Sequence, residues 1–196
     1  MDSRSQENFL IHTMNNGFDK AAASFSQLIG RPVKISSTQS ILLHDKNDFS
    51  YMAEETGDLY ILITQVIGTI SGKSFLILNQ EESEEIFRAI ATSISNQLLR
   101  EAFLLEIDNI ISASVIAQLS NKFSIEIYGD VPRLHKVSAK KIQDFLSQEM
   151  ISSDTSNVIF SNITFQFYQK EKVRPQFIWM LSDRIYSYLP ANPILK

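Results

Sequence analysis

The sequence has no cysteine, no low-complexity tract and no surplus of basic side chains. Without cysteine, the chain of 196 residues has no disulfide, no thiol nucleophile and no cysteine-ligated zinc. Charged residues make up an ordinary 20% and repetitive tracts are absent, so a folded chain is expected. The net charge of -4 gives little reason to expect a nucleic-acid partner, because no excess of Lys and Arg is available to neutralise phosphates.

Long apolar runs are missing too. No run approaches the length of a membrane-spanning helix, and the first residues, MDSRSQENF, are polar. We therefore expect neither a signal peptide nor a membrane span, and a cytoplasmic location. What the chain does have is apolar residues at 44%, including 13 Phe, which is enough for a sizeable core.

Two long segments have the apolar spacing of amphipathic helices. Ser5–Ile29 carries its apolar residues on one face, and the Gly30-Arg31-Pro32 sequence that follows is typical of a helix end. Arg100–Phe123 is the second long helix. Shorter helices are predicted at Asn79–Asn96, Val137–Met150 and Asp183–Leu189.

Strands are predicted where β-branched and aromatic residues cluster. Leu59–Thr64 and Ser74–Leu78 form a predicted hairpin, with its turn at Gly68–Gly72. We interpret that turn as structural, because no helix start or Lys-Ser/Thr pair follows it as in a phosphate-binding loop. The acidic run Asn79–Glu85 is interpreted as a helix start in preference to a metal site. The other predicted strands are Val33–His44, Ser124–Tyr128, Val158–Tyr168 and Phe177–Leu181, the last two joined by the basic turn Gln169–Arg174.

The order of these elements repeats along the chain. His12–Leu28 aligns over Glu106–Lys122, which places Asn15 on Asn109. The two repeats cover about 5–98 and 99–190, and no Pro/Gly/Ser-rich linker separates them. The sequence therefore predicts an α+β single domain over 1–196. It would have an internal pseudo-twofold repeat and a mostly antiparallel sheet of six strands or so, covered by long helices.

The second long helix carries an acid and an amide one turn apart, Glu106 and Asn109. At about 100° per residue, both point away from the core face, and Ala102 and Ala113 lie above and below them. Small residues around an acid and an amide indicate a docking surface, although the pair is also compatible with an ordinary solvated helix. Three aliphatic residues are expected to border this surface without being fully buried: Leu105, Ile110 and Ile116.

With Pro132, which follows Asn109 by 23 residues, this pair resembles the motif of the CheC-type chemotaxis phosphatase family (CheC, CheX and FliY). The family motif is Asp or Ser, three residues, Glu, two residues, Asn, twenty-two residues and Pro. Ala102 departs from it at the first position, and the resemblance extends over residues 7–185. The first repeat resembles a degraded second site, in which His12, Asn15 and Thr38 occupy the Glu, Asn and Pro positions.

The resemblance implies a CheC-like fold and a function. Members of the family dephosphorylate the aspartyl-phosphate of a CheY-type response-regulator receiver. Asn109 would then orient the attacking water, and Glu106 would pair with a Lys of the receiver. Mg²⁺ would be bound by the receiver, and the chain would need no metal or cofactor of its own. Its three histidines are scattered and are not expected to bind metal: His12, His44 and His135.

A second function remains open on the same residues. Ala102 and the degraded first site favour a non-catalytic module that binds a receiver domain, a CheD-like partner or the flagellar switch. A homodimer formed through an exposed strand edge near Val158–Leu181 is a further possibility. Phosphate release from an acyl-phosphorylated receiver discriminates between the catalytic and the non-catalytic function.

Overall fold

The computed structural model describes residues 3–43, 56–89, 96–151, 157–167 and 172–190. The residues outside these ranges include 44–55, the predicted helical residues 90–95, and residues 168–171 at the end of the predicted strand and in the predicted basic turn. The helices are α1 Ser3–Ile29, α2 Gln80–Ala89, α3 Gln97–Phe123 and α4 Ile142–Ile151, with 3-10 turns at Ala139–Lys141 and Asp183–Tyr188. The strands are β1 Val33–Leu43, β2 Asp58–Gly68, β3 Gly72–Asn79, β4 Ile127–Gly129, β5 Arg133–Ser138, β6 Asn157–Phe167, β7 Lys172–Val173 and β8 Gln176–Leu181.

Local interactions explain where the helices start and stop. Asn79 and Glu82 cap the start of α2 reciprocally: the amide N–H of Glu82 donates to Asn79 Oδ1, and that of Asn79 donates to Glu82 Oε2. The side chain of Asn96 caps α3 by accepting the amide N–H of Leu98. The helix α1 ends at Gly30, whose φ of 68° is a left-handed conformation that suits glycine.

The strands form one sheet with a near-symmetric order. They lie in the order β1-β6-β8-β3-β2-β4. In addition, β5 pairs with β2 further along the same edge as β4, and β7 pairs with β6. At the centre, β3 and β8 pair antiparallel, with Phe75 opposite Ile178. Exchanging the two halves of the chain about this pair maps β2 onto β6, and β1 onto β4 and β5 together. The α+β fold with an internal pseudo-twofold arrangement is therefore confirmed.

The two long helices cover one face of the sheet, and α4 covers the other. Alternation along β2 produces this division, because Leu62 and Val66 pack with α1 and α3, whereas Ile61 and Ile63 pack with α4. The helices α1 and α3 cross very closely at Gly17. A Cβ built on that residue would lie 2.6 Å from Val115 Cα, so only glycine fits there.

The structure corrects three details of the predicted elements. The strand β5 was not predicted, and the helix predicted from Val137 starts later, with the turn at Ala139 leading into α4 at Ile142. Among the described residues the sheet has eight strands rather than about six. Six of them form the main order, and the two additional strands are β5, which pairs with β2 as β4 does, and β7, which is only two residues long. The segment Arg133–Ser138 is short and half basic, so its alternation was too weak to indicate a strand.

The helix α3 is long and apolar enough to cross a membrane by length and composition alone, with a mean hydropathy of 1.5 in its most apolar window. The core helix of a soluble protein passes the same test. Here α3 packs against α1, β2 and β4, and 44% of that window is buried in the fold.

Candidate functional site

An exposed strip runs along the outer face of α3. Glu106 and Asn109 are both exposed on it, and so are Ala102 and Ala113 on either side of them. The strip follows from helical periodicity, because residues three and four apart lie on the same face. The exposure expected from the sequence is therefore observed, whereas the roles of Glu106 and Asn109 stay predictions.

The polar groups of this pair are available for an external partner. Within the described part of the chain, the side chains of Glu106 and Asn109 make no hydrogen bond and no ion pair. The backbone carbonyl of Asn109 is already engaged, since it lies 3.4 Å from the hydroxyl of Ser112. Among the described residues, nothing competes with an external partner for the amide of Asn109 or the carboxylate of Glu106.

The aliphatic border of the strip is only partly as expected. Leu105 and Ile110 are half-buried, which agrees with the expectation that they are not fully covered. Ile116 is 4% exposed, so the expectation for this residue is wrong. Its burial comes from β4, because a Cβ on Gly129 would lie 3.1 Å from Ile116 Cδ1. The expectation was based only on the direction of the Ile116 side chain around the helix axis, which gives no information on whether a strand covers it.

Pro132 lies where the strand beside the strip is interrupted. The strand β4 ends at Gly129 and β5 begins at Arg133, and both strands pack on α3 as well as on β2. Between them, the amide N–H of Asp130 donates to the carbonyl of Gln65, and the side chain of Asp130 accepts the amide N–H of Val131. Pro132 itself is buried and has no N–H to donate to a ladder. It therefore fixes a break in the strand.

The corresponding residues of the first half are arranged differently. His12 and Asn15 are half-buried on α1, whereas the corresponding residues Glu106 and Asn109 are exposed on α3. The hydroxyl of Ser40 donates to Asn15 Oδ1 at 3.3 Å. The strand β1 runs unbroken beside α1, with only a register shift at Thr38, the position that corresponds to Pro132. Without a strand break, the amide of Asn15 is held by the neighbouring strand.

One buried acid beside the pair was not identified from the sequence. Asp108 is completely buried on the core side of α3, where Thr64 Oγ1 donates to its Oδ2 at 2.7 Å. Burial raises the pKa of this carboxyl from 3.8 to about 7, although the hydrogen bond from Thr64 acts in the opposite direction. The signal was present, because the helical projection that exposes Glu106 and Asn109 also turns Asp108 towards the core.

In the part of the chain that the structure describes, side chains that could bind a metal ion are not clustered. Among the residues that it describes, no group of three or more His, Asp or Glu side chains is arranged to hold a metal ion. His12 lies on α1, whereas His135 lies on β5 with its ring centre 5.5 Å from that of Phe145. The absence of a cofactor of its own remains a prediction for this chain.

Comparisons with known proteins identify the fold. No protein-family model matches the chain, and no curated protein matches it in sequence. FliY from Thermotoga maritima superposes with a TM-score of 0.70 at 16% identity, over 96% of both chains. CheX from Desulfovibrio desulfuricans has a TM-score of 0.57 at 15% identity, over 86% of this chain and 99% of its own. The FliM middle domain from H. pylori has a TM-score of 0.63 at 9% identity, over 95% of this chain and 99% of its own.

The likeness to these three chemotaxis and flagellar proteins extends over nearly the whole chain. At such low identities it shows the fold alone, and that fold is the CheC-like fold expected from the sequence. The chain therefore shares its architecture with CheX and FliY as well as with the FliM middle domain. Its activity has to be argued from its own residues.

Proposed function

We propose that the chain is a phosphatase for the aspartyl-phosphate of a CheY-type receiver domain. The observation that carries the proposal is the contrast between two corresponding amides. Asn109 is exposed and free of partners among the described residues, whereas Asn15 is half-buried and hydrogen-bonded to Ser40. The break between β4 and β5 falls at Pro132, which occupies the Pro position of the CheC-type motif.

Hydrolysis of the aspartyl-phosphate requires few catalytic groups from this protein. An acyl phosphate is already activated, and a receiver supplies the Mg²⁺ that neutralises charge on the phosphoryl oxygens. What is missing is a water held in line with phosphorus. Asn109 can hold that water through its amide group, on a helix whose packing fixes its direction.

Glu106 has a different role in the proposal. It lies one turn before Asn109 on the same exposed strip, so a receiver that contacts one residue also reaches the other. Its carboxylate would pair with a lysine of the receiver and set the register of docking. The flanking Ala102 and Ala113 leave space for the approaching surface.

The test is phosphate release from a CheY-type receiver domain labelled with acetyl phosphate. Asn109→Ala is expected to lower the rate of release by roughly 10²–10³, the usual effect of one positioned hydrogen bond, while receiver binding is retained. Asn121→Ala is the matched control, because Asn121 is also exposed on α3. A rate for Asn109→Ala equal to that of the control would refute the phosphatase proposal.

A non-catalytic binding module is the second candidate. It is favoured by Ala102, which is exposed at the motif position where the family has Asp or Ser. It is also favoured by the shared fold of the FliM middle domain. In this case the wild-type chain would bind the phosphorylated receiver without accelerating phosphate loss at any protein concentration. A CheD-like or flagellar-switch partner belongs to the same proposals and needs separate binding experiments, and a cytoplasmic location needs a localisation experiment. The expectation of a homodimer through a strand edge near Val158–Leu181 is wrong about the edge, because β6 pairs with both β1 and β8, and β8 pairs with both β6 and β3.

A further inference from the structure

A small buried polar cluster lies directly beneath the exposed strip. It consists of Asp108 and Ser112 on α3 and Thr64 on β2, all of them buried. Thr64 Oγ1 donates to Asp108 Oδ2 at 2.7 Å, and Ser112 Oγ donates to the carbonyl of Asp108 at 2.7 Å. The other carboxyl oxygen, Asp108 Oδ1, has no hydrogen-bond partner among the described residues. The cluster joins the turn of α3 that carries Asn109 to the sheet.

The same part of β2 also holds the start of the loop that contains Pro132. A Cβ on Gly129 would lie 3.2 Å from Thr64 Cγ2, so β4 approaches Thr64 as closely as a glycine allows. The next residue, Asp130, donates its amide N–H to the carbonyl of Gln65 at 2.9 Å. Two neighbouring residues of β2 therefore hold α3 on one side and the Pro132 loop on the other.

We propose that Asp108 is a positioning residue, which holds the turn carrying Asn109 in place relative to the Pro132 loop through its hydrogen bond with Thr64. The part of this proposal that concerns catalysis rests on the proposed function of Asn109. The part that concerns the position of the turn does not, because it can be measured on the protein alone. A buried polar anchor of this kind specifies one register of the helix on the strand, whereas aliphatic contacts tolerate small shifts.

The carboxyl also makes the anchor sensitive to pH. Its pKa of about 7, raised by burial, puts its ionisation near neutrality. Among the described residues, those of α1, β2, β4 and β5 that are buried against α3 are uncharged, so they supply no cation to compensate the carboxylate. An ionised Asp108 is therefore costly to keep buried, and the turn should open more often above the pKa than below it.

Hydrogen exchange of the free protein tests the positional part. In the wild type, after correction for intrinsic exchange, opening of the backbone around residues 108–112 should be about tenfold more frequent at pH 8.5 than at pH 6. Asp108→Asn, which keeps the shape and an acceptor for Thr64, should abolish that dependence. Asp144→Asn, an exposed residue on α4, is the matched control and should retain it. Thr64→Val removes the hydrogen bond and should raise the opening of the same residues at pH 6. Opening in Thr64→Val equal to that of the wild type would overturn the proposal.

Kinetics with the acetyl-phosphate-labelled receiver domain test the catalytic part. Asp108→Ala should lower kcat about tenfold or more with KM changed less than twofold, since the docking residue Glu106 is untouched. Thr64→Val removes the donor but keeps the shape, and should lower kcat in the same way. Asp108→Asn should restore kcat. A loss of kcat and a rise of KM by equal factors in both Asp108→Ala and Thr64→Val would overturn the positioning role. Wild-type activity in Asn109→Ala would instead refute the proposed function and leave the exchange result standing.

Discussion

At the scale of single residues, neighbours on α3 are in opposite environments. Asn109 is exposed, and Asp108 beside it is completely buried. The helix turns about 100° per residue, so one step in sequence takes a side chain from solvent to the core. A polar group on the outside is available to a partner, whereas one on the inside has to be satisfied by the fold.

The buried carboxyl predicts a pH-dependent stability. The unfolded chain releases the proton of Asp108 near 3.8, whereas the folded chain keeps it up to about 7. The folded state therefore binds more protons in this window, and its free energy of unfolding falls as pH rises from about 4 to 7. Over three pKa units the loss is on the order of 4 kcal/mol. Urea denaturation of the wild type and Asp108→Asn at pH 4 and pH 8 measures it.

The comparison between the two proteins isolates this one group, since all other carboxyls titrate in both. The free energy of unfolding of Asp108→Asn, minus that of the wild type, should therefore rise as the pH goes from 4 to 8. A stability difference that stays constant over this range would show that Asp108 ionises in the folded state as it does in the unfolded chain.

The exposed carboxylate of Glu106 predicts an effect on binding. Glu106→Ala should weaken the affinity for a phosphorylated CheY-type receiver about two- to fivefold, because one charge pair at the rim of an interface is lost. Both chains carry Asn109→Ala, so that the receiver stays phosphorylated during the titration. Isothermal titration at low and high salt then measures the effect, and the advantage of keeping Glu106 should shrink as salt rises. Glu101→Ala, on the same helix, is the control. Equal affinities of the two variants at low salt would contradict the docking role.

At the scale of secondary-structure elements, the crossing of α1 and α3 depends on Gly17. Gly17→Ala places a methyl group 2.6 Å from Val115 Cα, a backbone atom that cannot move alone. The helices would have to separate, and the free energy of unfolding should fall by about 1–3 kcal/mol, even though alanine is the better helix former. Chemical denaturation measures the change, with Ser24→Ala on the exposed face of α1 as the control.

Most elements could be predicted from the sequence, because their patterns are long and regular. Both long helices were predicted within a few residues, and so was the hairpin turn at Gly68–Gly72. The strand β5 could not be, since six residues with three basic side chains show too little alternation. Its identity as a strand depends on pairing with β2, which is a contact distant in sequence.

The candidate site was predictable to the same extent. The exposure of Glu106 and Asn109 follows from periodicity alone, and the structure agrees. The burial of Ile116 under β4 and the hydrogen bond of Asn15 with Ser40 depend on tertiary contacts, which one sequence does not show. Pro132 was identified by its spacing, but its place at a break between two strands is evident only in the fold.

At the scale of the whole molecule, the pseudo-twofold order of the sheet is preserved while the two outer strands differ. The strand β1 continues along β6 for ten paired positions, whereas β4 and β5 together pair with β2 on either side of a gap. The halves also differ elsewhere among the described residues, because the helix α2 follows β3 whereas a 3-10 turn follows β8, and the two-residue strand β7 is added beside β6.

The unbroken strand β1 has a consequence for valency. Within the described residues, the amide of Asn15 is held by Ser40 and that of Asn109 is free, so a chain should engage one receiver at a time. Titration of the Asn109→Ala chain with a phosphorylated receiver should therefore saturate at one receiver per chain, and the rate of the wild-type chain should rise hyperbolically with substrate. A stoichiometry of two would mean that the first half also binds a receiver. Under the proposed function, a chain with one such site would not crosslink two receivers, and a mixed pool of receivers would compete for the same surface.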